Sequence, residues 1–126
     1  MDKIAWGILV VWLVIFIVPF VVYSGFSIVA GLKPPGEASP LRFLLGIAIS
    51  KLGVALAFVL IFSLTFTIFS ASWWNYALLW WVMFVAEEIG QATGMNYSWK
   101  EAVAGIISES VYLPLSAFLA SMILSG

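Results

Sequence analysis

The residues of this chain that could do chemistry are few, and two of them lie deep in apolar sequence. Lys51 and Glu109 each stand about eleven residues into a different apolar run, which along a helix is roughly 15 Å, near the middle of a bilayer core. An ionisable group at that depth needs a partner or a task. Glu87 and Glu88 lie near the far end of a third run. An ammonium among three carboxylates has two plausible uses. Lys51 and Glu109 would form an ion pair that neutralises both and fixes helix register. Alternatively, the excess carboxylates would share protons and serve a proton or cation pathway. Acid–base catalysis by the same residues lacks company, because no nucleophile, metal-ligand set or phosphate loop accompanies them. The chain has neither Cys nor His. That excludes disulfides, thiol nucleophiles, Cys/His zinc sites and histidine chemistry. No catalytic residue, metal or cofactor is expected.

The neighbours of these charges describe a lining. On the Glu109 face, Ala102, Gly105, Tyr112 and Ser116 recur at helical spacing, and Gly46, Ser50, Gly53 and Ala57 flank Lys51. The expected site is therefore a buried charge cluster of Lys51, Glu109, Glu87 and Glu88. Ser50, Gly105, Tyr112 and Gln91 line it, in a seam of small residues that lets helices approach. Ala86, Gly90 and Gly94 repeat every four residues, a second small-residue stripe, expected first to pack within the chain's own bundle.

What positions these residues follows from composition. Apolar residues make up 64% of the chain and charged residues 9%, with mean hydropathy +1.17. A soluble domain is nearer half apolar and a quarter charged, so lipid is the expected solvent. The net charge of −1 leaves no electrostatic footprint for nucleic acid. Four apolar runs predict helices over about 4–23, 41–69, 73–93 and 99–124. The fold class is all-α: a polytopic integral membrane protein, one domain of four transmembrane helices over 1–126 with short loops. The first run is too long for the hydrophobic part of a signal peptide. Gly and Pro mark 24–40 as a loop, and Ser39 before Pro40 suits a helix start. Ser70, Ala71 and Ser72 form a short break, with Ser72 expected to cap the third helix and Gly94 to end it in a left-handed conformation. Ser98 and Glu101 have the spacing of a capping box. Pro19 and Pro114 are expected to kink their helices.

Four spans put both termini on one side with Lys3. Lys33, Arg42 and Lys100 fall on the other, which the positive-inside rule places in the cytoplasm, so both termini lie outside. The membrane is expected to be the inner or plasma membrane of a prokaryote. Trp6, Trp73, Trp74 and Trp99 fall near expected interfaces, whereas Trp80 and Trp81 fall mid-span and are expected to face a partner or lipid.

Two resemblances bear on the reading. Glu87-Glu88 resembles the double glutamate of intramembrane prenyl-endopeptidases, but Gln91 stands where that motif needs an arginine, and the chain has no histidine. From Trp73 onward the chain resembles a group of four-span bacterial and archaeal membrane proteins of unknown function. The shared features are Trp73-Trp74, Leu79-Trp80-Trp81, then Tyr97-Ser98-Trp99-Lys100 before a small-residue helix. That resemblance implies four spans and no activity. The expected role is a non-enzymatic accessory or structural subunit of a larger membrane complex. The alternative is a small homo-oligomeric proton- or cation-coupled transporter or channel. The expected partners are the lipid bilayer and either other membrane subunits or further copies of the chain.

Overall fold

The computed structural model describes residues 2–30, 40–94 and 98–125. Among these, every regular element is a helix: α1 (Asp2–Ala30), α2 (Pro40–Leu64), α3 (Phe66–Phe69), α4 (Trp73–Thr93) and α5 (Trp99–Ser125). The expected caps near Ser39, and the loop charges Lys33 and Glu37, lie outside the described residues.

Where the helices end differs from the sequence reading in ways local chemistry explains. α1 runs past 23 to Ala30. Ser24 Oγ donates to the Phe20 carbonyl at 2.7 Å, so its hydroxyl is satisfied inside the helix rather than stopping it. The second run is not one helix over 41–69. Thr65, at φ −109° and ψ 19°, separates α2 from α3. Its Oγ1 donates to the Ile61 carbonyl at 2.7 Å, and its amide reaches the carbonyls of both Ile61 and Phe62. A β-branched residue that bonds back in this way bends a helix out of register.

The start of α4 falls at Trp73 as expected, but Ser72 makes no side-chain cap; its carbonyl accepts the Asn75 amide at 3.0 Å. Gly94 is not left-handed either. It lies at φ −76° and ψ 0°, and its amide donates to the Gly90 carbonyl at 2.9 Å. The capping box of α5 is present: the Glu101 amide donates to Ser98 Oγ at 3.2 Å, and the Ser98 amide donates to Glu101 Oε1 at 3.4 Å. α5 continues through Pro114 as one helix.

α5 packs along α1 on one side and along α4 on the other, and α2 packs along α1. The close approach comes from α5, whose buried face is mostly small: Ala102, Ala104, Gly105, Ser108, Ala117 and Ala120. A Cβ added to Gly7 would meet Val59 Cγ1 at 3.4 Å and Ile123 Cγ2 at 3.9 Å. The start of α1 therefore lies beside the ends of α2 and α5, in an up-and-down bundle. α2 and α4 meet through aromatic rings. Tyr76 lies edge-on to Phe62 and Phe58 at centroid distances of 4.5 and 4.9 Å, and its hydroxyl donates to the Phe58 carbonyl. Trp80 joins this wedge at 5.3 Å from Phe58. Trp81 Nε1 donates to Ser110 Oγ on α5 at 2.9 Å. Both mid-span tryptophans contact the bundle's own helices while staying half-exposed.

Three segments, Lys3–Val22, Leu45–Leu64 and Trp99–Ser125, are long and apolar enough to cross a membrane, with mean hydropathies of 2.8, 2.4 and 1.5. The 21 residues of α4 span about 31 Å, but its tryptophans, Asn75, Glu87, Glu88 and Gln91 lower its hydropathy. Large apolar side chains point outward from all four long helices, among them Val21, Ile49, Val82 and Leu115. So much exposed apolar surface exceeds what a water-soluble monomer carries.

Candidate functional site

Three helices supply the charged residues, and each places its side chain for a local reason. On α5, Glu109 belongs to the face that also buries Ala102, Gly105, Tyr112 and Ser116, so packing against α1 and α4 takes the carboxylate inside. Only 5% of Glu109 is exposed. On α4, Glu87 and Glu88 are consecutive and so diverge by about 100° around the helix. Glu87 is exposed, whereas Glu88 is half-buried and turned toward α5. On α2, Lys51 is half-buried.

Gly105 shows how closely Glu88 approaches. A Cβ built on Gly105 would lie 2.5 Å from Glu88 Oε2, 2.6 Å from its Cδ and 2.8 Å from its Oε1. The carboxylate of Glu88 rests on the bare backbone of α5, in space that any side chain at 105 would fill. Gly105 stands one turn before Glu109 on the same buried face of α5, so the Glu88 carboxylate rests one turn from Glu109. Glu109 Oε1 is buried with no hydrogen-bond partner among the described residues. Lys51 Nζ lies 5.8 Å from the centroid of the Tyr112 ring, a cation–π contact.

Of the four charged residues read from the sequence, Glu88 and Glu109 share the Gly105 face of α5, Lys51 faces Tyr112, and Glu87 is exposed. Gly105 and Tyr112 also belong to the site, in roles the sequence does not specify: Gly105 seats a carboxylate, and Tyr112 offers its ring to the ammonium. The other lining residues sit further out. Gln91 is half-buried, and Ser50 is exposed in an open recess of about 460 Å³ shared with Arg42, Gly46, Ile47 and Lys51.

The two small-residue seams are corrected. Nothing lies within 4 Å of a Cβ added at Gly46 or Gly53, because α2 leans on α1 instead, where Trp12 Nε1 donates to the Ala48 carbonyl at 2.9 Å. Ala86, Gly90 and Gly94 are exposed, and Gly90 also faces open space. α4 uses its Tyr76, Trp81 and Glu88 side for the bundle, so this stripe points away from it.

Among the described residues, no group of three carboxylate, Cys or His side chains is arranged to hold a metal ion. Chemically, the site can bind or release protons, or hold its charges as a fixed internal network. No protein-family model matches the chain, and neither a curated protein nor a solved structure matches it.

Proposed function

We propose that this chain is a four-span protein of a prokaryotic inner or plasma membrane, with both termini outside, serving as a non-catalytic subunit of a larger membrane assembly. Support for α4 as the fourth span comes from its partner. α4 lies along α5, from Trp73 on Phe118 at a centroid distance of 5.4 Å to Glu88 on Gly105, so it shares the depth of a helix apolar enough to cross.

The observation that carries the subunit reading is the outward stripe of Ala86, Gly90 and Gly94. Lipid gains little from a groove of small residues, whereas a neighbouring helix gains close van der Waals contact there. The test is mass measurement after purification from native membranes in mild detergent, with Gly90→Leu beside Ile49→Ala, an exposed residue on α2. A co-purifying membrane chain that Gly90→Leu releases and Ile49→Ala does not supports the reading. A monomer, or a partner indifferent to Gly90→Leu, refutes it. The buried carboxylates favour a second reading, a homo-oligomeric proton- or cation-coupled transporter or channel; a symmetric oligomer of this chain alone would favour that one.

A further inference from the structure

We propose that Glu88 and Glu109 form an intramembrane proton-binding site, holding one exchangeable proton between their carboxyl groups with Lys51 as the fixed counter-charge. Three observations carry this. First, the Glu88 carboxylate is seated against Gly105, one turn from Glu109 on the same buried face of α5, and two carboxyl groups that meet there can share a hydrogen bond only if one supplies a proton. Second, Glu109 Oε1 is buried with no partner among the described residues. An ionised carboxylate with one oxygen stranded in this way is costly. A carboxyl group that donates its proton to Glu88 leaves only a carbonyl-type oxygen unpaired, which costs much less. Third, the charges balance at one proton. The groups that face the pair are Lys51 from α2, Glu87 at the exposed rim of α4, and Tyr112 from α5. α1 brings no ionisable side chain between Ile4 and Val22. The buried Glu109 and half-buried Glu88 against one ammonium leave one negative charge, and a single proton cancels it.

The ligand is thus a proton. The inference stands on this cluster alone; it holds or fails whether or not another chain co-purifies.

The test is infrared difference spectroscopy of the full chain in lipid nanodiscs at neutral pH, exchanging water for D2O. The unmodified protein should show the carbonyl stretch of a protonated carboxylic acid, shifted down by deuteration. Glu88→Gln and Glu109→Gln should each abolish that band, and Glu87→Gln should leave it. Gly105→Ala changes no ionisable group but displaces the Glu88 carboxylate, and should abolish or shift the band. Absence of the band from the unmodified protein overturns the proposal without any variant. So does a band that survives Glu88→Gln, since the proton would then sit on Glu109 alone, and so does a band that Gly105→Ala leaves untouched.

Discussion

Replacing Gly105 with alanine is the sharpest probe of the charged cluster, because its sign is opposite to the usual expectation. Alanine in place of glycine in a helix interior normally stabilises by about 1 kcal/mol. At Gly105 the added carbon would lie 2.5 to 2.8 Å from three atoms of the Glu88 carboxylate, closer than side chains tolerate. The obstacle is the end of a flexible side chain rather than backbone, so α4 and α5 need not separate. Glu88 must swing away instead. An off-rotamer side chain costs about 0.5–1.5 kcal/mol, and losing a hydrogen bond to a charged group about 1.5–3 kcal/mol. Set against the helix gain, the net is destabilisation of about 1–3.5 kcal/mol. Gly53→Ala is the control, because nothing lies within 4 Å of its new carbon. It should stabilise by about 1 kcal/mol.

The assay is reversible unfolding in mixed micelles of rising SDS content. A further variant isolates the cause. With Glu88→Ala already in place the obstacle is gone, and adding Gly105→Ala should then stabilise by about 1 kcal/mol. If Gly105→Ala stabilises the unmodified protein as much as Gly53→Ala does, Glu88 is not seated on Gly105 and the geometry of the cluster is wrong.

Four further outcomes follow from other parts of the structure. Ser98→Ala removes the hydroxyl that accepts the Glu101 amide and should cost about 1 kcal/mol in the same assay, with loss of amide protection confined to the first turn of α5. Tyr76→Phe keeps the aromatic wedge but loses the hydrogen bond to the Phe58 carbonyl, for a cost of about 1 kcal/mol; Tyr76→Ala also removes the ring and should cost about 3–5 kcal/mol. Lys51→Met removes the ammonium facing the carboxylates and should destabilise more than the double change Lys51→Met with Glu109→Gln, which also removes a carboxylate; equal stability would mean that Lys51 compensates nothing there. For sidedness, a cysteine at Gly36→Cys should resist membrane-impermeant labelling from outside intact cells, and ready labelling would invert the orientation.

The sequence shows some of this structure because some of its signals are local. The capping box depends on two residues three apart, and it holds. The buried face of α5 is legible because Ala102, Gly105, Glu109, Tyr112 and Ser116 repeat at helical spacing and small residues are rarely wasted on lipid. The same argument fails on α2 and α4. Spacing defines a face but not what covers it, and the glycines at 46, 53 and 90 face open space. Adjacent Glu87 and Glu88 straddle the edge of the α4 face, so only the rotation of α4 against α5 decides which of them turns inward. Helix ends were missed where side chains settle the matter. Ser24 prolongs α1 by bonding back along the helix, and Thr65 interrupts the second run with the same kind of bond at a β-branched residue.

The cluster and the aromatic wedge depend on one feature of the packing. Among the described residues the backbones of α2 and α4 do not run closely together; each is held by a different neighbour, α1 for α2 and α5 for α4. At one level Phe58, Phe62, Tyr76 and Trp80 fill the interval with rings. Further along, the long side chain of Lys51 crosses toward the Tyr112 ring on α5. Large rings hold α2 and α4 apart, and small residues on α5 admit the carboxylates. Glu88 and Glu109 come from helices that pack directly, and only Lys51 must reach across from α2 by its own length. A shorter residue at Lys51 could not reach across, and a larger one at Gly105 would close the seat on which Glu88 rests.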